Sequence, residues 1–129
     1  MFEKKQGFEI STDDARNILK IRAWGFWDAE VAGKYRYEFE NMINEMKTRG
    51  KAWSTLVDVT DYSPQSARVQ KIIRERMALA TECGLKKEAC IVQSLPTKWQ
   101  MKHLARQSDL PMRAEFQTED EAMQWLSNN

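Results

Sequence analysis

The sequence has few of the residues that mark a metal site, a disulfide framework or a membrane anchor. Among its 129 residues are one histidine and two cysteines, so a zinc site built from clustered Cys and His ligands is excluded. No apolar run reaches the length of about 18 residues that a membrane-spanning helix needs. The first residues also lack the apolar stretch of a signal peptide. We therefore expect a cytoplasmic protein with no transmembrane segment, no metal and no cofactor, in which Cys83 and Cys90 are reduced.

The chain also lacks an excess of charge of either sign. Lys and Arg total 20 and Asp and Glu total 19, so no overall field attracts nucleic acid or an anionic membrane. The length suits a single domain, residues 1–129, with one core. The expected partners are another protein, a second copy of the chain, or a small apolar or anionic ligand, and not nucleic acid.

No set of residues with a catalytic pattern is present. His103 is the only histidine, and no Gly-x-Ser-x-Gly nucleophile elbow accompanies it. A glycine-rich loop of the kind that binds nucleotide phosphates is missing as well. A surface histidine is the expected role of His103, since a general base needs a partner group. The sequence predicts a protein that is not an enzyme and has no catalytic residue.

What is present is a regular alternation of strand and helix patterns. Period-two alternation and short apolar runs predict strands at 8–11, 17–24, 53–59, 89–92 and 113–116. Helical periodicity between N-cap and glycine stop signals predicts helices at 28–49, 66–83, 97–107 and from 118 onward. This order indicates an α/β fold: a mixed, mostly parallel sheet of about five strands flanked by about four helices, with an N-terminal antiparallel pair.

One charged residue interrupts the helical pattern. Arg76 falls at the centre of the apolar stripe of the helix predicted at 66–83. An unpaired buried charge would cost several kcal/mol, roughly. We expect the stem of Arg76 to lie along the core while its guanidinium reaches water. An ion pair, an anion ligand and a seam with another subunit are the alternatives.

Polar residues follow the third predicted strand, in the run STLVDVTDYSPQS at 54–66. In open parallel sheets, ligands bind outside the carboxyl ends of the strands, and the loops expected there are 60–65 and 93–96. Residues 25–27 join them if their strand is parallel, and helix N-termini nearby favour an anion. The candidate ligand-binding or partner-binding residues are Thr60, Asp61, Tyr62, Ser63, Ser66, Gln93 and Ser94.

The alternative, which the pattern favours, is that this edge is structural. Ser66 and either Ser94 or Thr97 would then cap helices, and nothing would bind. Because residues 61–63 are placed in a polar loop, we expect their substitution to change stability little.

The helix predicted at 97–107 carries a second candidate surface. Its core side is formed by Met101, Leu104 and Ala105. The opposite side carries the candidate interface residues Trp99, Lys102, His103 and Arg106. A tryptophan away from the core stripe is unexpected because it exposes a large apolar area. Trp99 either folds over a neighbouring loop, which we favour, or forms a self-association or partner surface, or contacts a lipid headgroup or another anion.

The segments WSTLVDVTDYSPQS and AEFQTEDEAMQWL, with the turn at Gly84 and the short strand after it, resemble the STAS-like family. That family shares its fold with the sporulation anti-anti-sigma factor domain, and the resemblance covers residues 17–126. In phosphorylated STAS domains, a serine at the start of the following helix accepts phosphate from a partner kinase. Here Ser66 falls at the position of the family's capping aspartate, and Ala67 at the usual phosphoacceptor.

The resemblance implies a non-enzymatic regulatory protein-interaction module without a matching phosphoacceptor serine. The alternative is a small-molecule or lipid carrier or sensor that uses a pocket at the carboxyl ends of the strands. This alternative rests on the comparison of the fold with CRAL-TRIO lipid-binding domains and on the aromatic residues Trp24, Phe26, Trp27 and Tyr62. An enclosed apolar cavity would favour the carrier, whereas a tight core with a partly apolar outer face would favour the interaction module.

Overall fold

A computed structural model describes residues 5–128, which form one mixed sheet with helices on both faces. The strands are β1 Gly7–Asp13, β2 Ile18–Gly25, β3 Trp53–Tyr62, β4 Leu85–Ile91 and β5 Met112–Phe116. The helices are α1 Ala29–Thr48, α2 Ala67–Glu82, α3 Leu95–Gln107 and α4 Glu119–Ser127. The sheet order is β1-β2-β3-β4-β5. β1 and β2 are antiparallel and every later pair is parallel, so the predicted fold class is confirmed.

The two faces of the sheet are covered unequally. On one face α1, α2 and α3 enclose the main core, to which β2 contributes Leu19 and Ile21. On the other face α4 covers a smaller cluster that includes Ile18, Leu56 and Ala89. The period-two alternation of β2 explains this division, because successive side chains of a strand point to opposite faces.

The predicted starts of α1, α2 and α4 hold because their caps form, whereas α3 begins at Leu95, two residues before the predicted start, since Pro96 is tolerated in its first turn. Each of the three predicted N-cap side chains accepts a hydrogen bond from the backbone N–H three residues further on: Asp28 at 2.9 Å, Ser66 at 3.3 Å and Thr118 at 3.3 Å. Gly50 and Gly84 follow α1 and α2 with φ of 69° and 105°. Such positive values stop a helix at little cost only in glycine.

The strands are longer than the sequence indicated. β1 continues to Asp13, and β4 begins at Leu85, immediately after Gly84. The polar residues Lys86 and Lys87 obscured the start of β4, although Leu85 already pairs with Trp53. Pairing with a neighbouring strand extends β1 and β4, and this pairing cannot be predicted from the local pattern of polar residues.

Arg76 is buried and paired, which corrects the expectation that its guanidinium reaches water. Its side chain is 10% exposed, and Nη1 lies 2.6 Å from Oε2 of Glu40 on α1. The ion pair joins α1 to α2 and offsets the cost of removing the guanidinium from water. The ion-pair alternative is therefore the one that the structure supports.

The two cysteines are free thiols in the described part of the chain. Cys90 is buried in β4 and Cys83 is half-buried at the end of α2. Burial raises the pKa of the Cys90 thiol to about 12, so it stays protonated at neutral pH. No helix in residues 5–128 is long and apolar enough to cross a membrane.

Candidate functional site

The carboxyl ends of β2, β3, β4 and β5 meet at one edge of the sheet because these strands are parallel. We call this the carboxyl edge. It contains residues 25–28, 62–66, 92–95 and 116–118. Residues 25–27 join it as expected, and the Ser63 N–H donates to the Gly25 carbonyl at 3.2 Å. Ser63, Ser66, Gln93 and Ser94 of the candidate residues therefore lie at this edge, whereas Thr60 and Asp61 lie before it in β3.

Thr60, Asp61 and Tyr62 belong to β3, so the predicted loop begins too early. β3 keeps pairing with β2 up to Tyr62, past a bulge between Arg22 and Trp24 of β2. The Asp58 carboxylate accepts hydrogen bonds from the Thr60 N–H at 3.0 Å and the Thr60 hydroxyl at 2.7 Å. Thr60, which the sequence placed in a loop, thus bonds to Asp58, and the two residues stabilise an irregular strand through a local side-chain turn.

Tyr62 is a core residue and does not present its ring to a ligand. It is 4% exposed, and its ring lies 5.3 Å from that of Trp27. Trp27 in turn contacts Phe8 and Tyr35 at 5.7 and 5.0 Å between centroids. Burial raises the pKa of Tyr62 well above its ordinary value. The loop position on which the expected small effect of its substitution rested is therefore wrong, and we now expect a large effect because the ring is part of the core.

Gln65 is the central polar residue of the carboxyl edge, and no sequence pattern distinguishes it from its polar neighbours. It is 5% exposed. Its Oε1 accepts from the Trp27 N–H at 2.7 Å, and its Nε2 donates to the carbonyls of Gly25 and Ser63 at 2.8 and 2.7 Å. The side chain therefore ties the β2–α1 connection to the β3–α2 connection.

The backbone of Gln65 is held equally firmly from α2 and α3. Its N–H donates to Oε1 of Gln100 at 2.7 Å. Its carbonyl accepts from Nε2 of Gln70 at 3.0 Å and of Gln100 at 3.2 Å. We call Gln65, Gln70 and Gln100 the glutamine brace. Because the backbone and side-chain polar groups of Gln65 are bonded within the chain, they are not available to bind a ligand.

Gly25 is the glycine that this arrangement requires. Its φ is 79°, and a Cβ there would overlap the carbonyl oxygen of Lys5. Only glycine combines that conformation with so close an approach of backbone. The Gly25 carbonyl is thereby free to accept from both Ser63 and Gln65.

Two of the four helix starts at this edge, those of α2 and α3, differ in their caps. Ser66 caps α2, and Ala67 begins the helix with its methyl group exposed. Ser94 occupies the N-cap of α3, but within residues 5–128 its side chain makes no capping hydrogen bond. The Thr97 hydroxyl donates to the Tyr62 carbonyl at 2.8 Å and so does not cap the helix either. Neither of the two predicted N-cap side chains of α3, Ser94 or Thr97, therefore forms a cap.

A shallow depression of about 420 Å³ lies between the start of α3 and the end of β5. Gln93 is the one member of the predicted ligand set that lines it, together with Leu95, Lys98, Glu115 and Phe116. Ser94 is exposed beside it. Asp61 is exposed elsewhere and lies 3.6 Å from Arg22. The predicted ligand residues therefore do not converge on one cavity.

The outward side of α3 is the most apolar exposed helix face at this edge. Trp99 is 70% exposed and Leu95, one turn before it, is 60% exposed. Trp99 therefore does not fold over a loop of its own domain, which excludes the interpretation that the sequence favoured. Lys102, His103 and Arg106 continue the same face and are exposed. Met101, Leu104 and Ala105 are buried on the opposite side, as predicted.

A buried ionic cluster beneath the depression was not anticipated. Arg113 on β5 lies 3.0 Å from Glu88 on β4 and 2.8 Å from Glu115. Burial raises the pKa of Glu88 above its ordinary value, although Arg113 acts in the opposite direction. Lys98 of α3 lies 3.6 Å from Glu115. The pairing of β4 with β5 brings Glu88 and Arg113 together. Because they are 25 residues apart in the chain, a local sequence pattern does not reveal the ion pair.

The depressions that we find on residues 5–128 open to solvent. The largest, about 610 Å³, lies beside α4 and is lined mainly by polar residues such as Arg16 and Asp120. The core beneath α1, α2 and α3 is filled by side chains of the main cluster. An enclosed apolar pocket at the carboxyl ends of the strands, which a carrier would use, is not seen in this part of the chain.

Comparison with known proteins identifies the fold. No family model and no curated protein matches the chain. Among solved structures, an uncharacterized protein of the DUF3478 family with a SpoIIAA-like fold, from Shewanella loihica, matches with a TM-score of 0.73 and 20% identity over 98% of both chains. An anti-sigma factor antagonist from Mycobacterium paratuberculosis matches with a TM-score of 0.65 and 10% identity over 95% of both chains.

The Bacillus cell fate determinant SpoIIAA, in its phosphorylated form, matches with a TM-score of 0.61 and 20% identity over 93% of this chain and 99% of that one. The chain has the STAS-like fold. At sequence identities of 10–20%, similarity to these solved structures establishes the fold alone. The function has to be argued from the surface of this molecule.

Proposed function

We propose that this STAS-like chain is a non-enzymatic regulatory module that binds a protein partner through the outward face of α3. The observation that carries the proposal is the exposure of Trp99 at 70% and of Leu95 at 60%, one helical turn apart. Aromatic residues and arginine are the side chains that most often dominate binding at protein interfaces. We call Leu95, Trp99, Lys102, His103 and Arg106 the α3 face.

The charge of α3 indicates the chemistry of the partner. The helix contains Lys98, Lys102, His103 and Arg106 but no acidic residue. Among the described residues, no ion pair involves Lys102 or Arg106, although Lys98 is engaged by Glu115. Unpaired cations beside an exposed tryptophan favour a partner surface that is apolar at its centre and acidic at its rim. A partner of that kind gains both apolar burial and electrostatic steering.

The comparison with regulatory proteins of the same fold supports an interaction role. Two neighbours are named as an anti-sigma factor antagonist and as the cell fate determinant SpoIIAA in a phosphorylated form. Ala67 has no hydroxyl at the start of α2, where the family resemblance places the phosphoacceptor. We therefore propose that binding by this chain does not depend on phosphorylation at that position.

The carrier alternative has less support. A carrier of a lipid or another small apolar ligand needs a concave apolar pocket that encloses most of the ligand. The described depressions are open, and the amide of Gln65 is already bonded to the Trp27 N–H and to the carbonyls of Gly25 and Ser63. Native mass spectrometry of freshly purified protein tests this alternative, because a retained small molecule would favour the carrier.

The proposal is tested by comparing what immobilised wild type and Trp99→Ala bind in a lysate of the source organism, measured by quantitative mass spectrometry. Tyr37→Ala is the matched control, since Tyr37 is 68% exposed on α1. We expect at least one protein to be lost with Trp99→Ala and with Lys102→Glu but retained with Tyr37→Ala. Identical binding by wild type and both α3 variants would reject the α3 face as the contact surface.

A further inference from the structure

The outer edge of β1 is a second surface that the α3 face does not include. β1 is the first strand of the sheet order and, among residues 5–128, pairs with β2 alone, so its other edge has no strand partner there. All seven residues of β1 pair with β2 in continuous register, and none is proline or lysine. Bulges, prolines and lysines are the usual features that prevent an edge strand from pairing. The other edge strand, β5, has only five residues and follows Pro111.

A groove of about 270 Å³ runs along this free edge. One wall is formed by residues 6–10, and the other by Val31, Lys34 and Glu38 of α1. Phe8 and Ile10 are only half-buried, although they pack against the main core. An added strand would bury both further and would fill the groove beside α1.

We propose that the groove is occupied by β1 of a second copy of this chain, paired antiparallel about a twofold axis near Phe8. The Phe8 ring contacts that of Tyr35 at 5.4 Å, which places the middle of the groove level with residues 34–38 of α1. A twofold axis at this level pairs Phe8 with Phe8 of the second copy and Gly7 with Glu9 of the second copy. Among the described residues, positions 5–11 then pair with one another, and no two like charges lie directly opposite each other there.

The charges on α1 favour a second copy over an unrelated extended peptide. Lys34 and Glu38 are exposed and both border the groove. Neither forms an ion pair within residues 5–128. Twofold symmetry reverses the direction of α1 in the second copy, so Lys34 of each copy faces Glu38 of the other. A self-complementary pattern of this kind is what an interface between identical subunits requires.

Sedimentation velocity with charge-reversal variants tests the proposal. We expect wild type to dimerise at high micromolar concentration, and Lys34→Glu to raise the dimer dissociation constant about tenfold, since it places two acidic pairs across the axis. The double variant Lys34→Glu/Glu38→Lys should restore wild-type dimerisation. Lys102→Glu is the control on the α3 face and should leave the dimer unchanged, which separates this inference from the proposed function.

Crosslinking tests the geometry of the same dimer. A mixture of Lys34→Cys and Glu38→Cys variants, both carrying Cys83→Ala, should crosslink with a short bismaleimide more efficiently than either variant alone. A monomeric wild type at high micromolar concentration would overturn the proposal. A dimer that Lys34→Glu leaves intact, and that this cysteine pair does not crosslink, would overturn it as well.

Discussion

Residues 60–66 and the α3 face are neighbours at the carboxyl edge, and they use their side chains in opposite ways. In the first segment, Tyr62 and Gln65 are buried, at 4% and 5% exposure. Their ring and amide groups are directed to other parts of the same chain. On α3, Trp99 is 70% exposed, and the helix needs only its other side to pack on the core.

The difference shows that a segment rich in polar residues is not necessarily the segment that binds a partner. Polar groups that already have internal hydrogen-bond partners gain little by exchanging them for a ligand. A large apolar side chain left in water gains free energy as soon as a partner covers it. The segment that is richer in polar residues is therefore the structural one, and the helix with the exposed tryptophan is the candidate contact surface.

Replacing Tyr62 should give the largest loss of stability. Tyr62→Ala removes a buried ring and should lower the free energy of unfolding by about 3–5 kcal/mol, whereas Asp61→Ala should change it by less than about 0.5 kcal/mol. Tyr62→Phe should be neutral or stabilising, because the buried hydroxyl has no hydrogen-bond partner among the described residues. Urea unfolding measures all three. Equal effects of the first two substitutions would place Tyr62 outside the core.

Loss of the glutamine brace should have the second-largest effect on stability. Gln65→Ala leaves the buried Trp27 N–H and two carbonyls without their partner, and should cost about 2–3 kcal/mol. Gln93→Ala is the matched control, since Gln93 is exposed at the same edge, and should change stability by less than about 0.5 kcal/mol. If Gln65→Ala is as mild as the control in urea unfolding, the hydrogen bonds of Gln65 do not hold the edge together.

The contrast between buried and exposed polar groups extends to charge. Burial raises the pKa of Glu88, so the folded state favours the protonated carboxyl more than the unfolded state does. The protonated carboxyl of Glu88 therefore stabilises the folded state fully below the ordinary glutamate pKa. This stabilisation decreases as the pH rises through the raised pKa that Glu88 has in the folded state. Glu88→Gln should remove that decrease, which thermal melts across the acid range would detect. An unchanged pH dependence would mean that Glu88 titrates normally.

The cap of α2 should have a smaller effect. Ser66→Ala removes the side chain that accepts from the Val69 N–H, and should cost about 1 kcal/mol. Ser94→Ala at the start of α3 should cost less, because the Ser94 side chain forms no capping hydrogen bond within residues 5–128. Chemical denaturation of the two variants gives the order. A larger loss for Ser94→Ala would reverse the assignment of the caps.

The sequence was sufficient for the architecture because the architecture follows local rules. Strand alternation, three capping side chains and two glycine stops are all local patterns, and they place α1, α2 and α4 correctly and the start of α3 within two residues. The end of β3 was missed because Thr60 and Asp61 resemble loop residues, whereas the bonds between Thr60 and Asp58 support a bulge within the strand.

The interior of the candidate site needed tertiary information. Gln65 lies 38 residues from Trp27 in sequence, and Glu88 lies 25 from Arg113. Nothing in the local pattern of either residue separates it from an exposed polar residue. The outward position of Trp99 could be predicted, because a tryptophan on the polar side of a helix is itself a local inconsistency. Its exposure in place of packing over a loop could not, and the interface role of the α3 face stays a prediction.

The most direct test of this account compares the urea-unfolding free energies of Gln65→Ala and Trp99→Ala. If the brace holds the fold and the α3 face is free to bind, Gln65→Ala loses about 2–3 kcal/mol and Trp99→Ala loses less than about 0.5 kcal/mol. The opposite order, with Trp99→Ala unfolding the domain and Gln65→Ala silent, would contradict it.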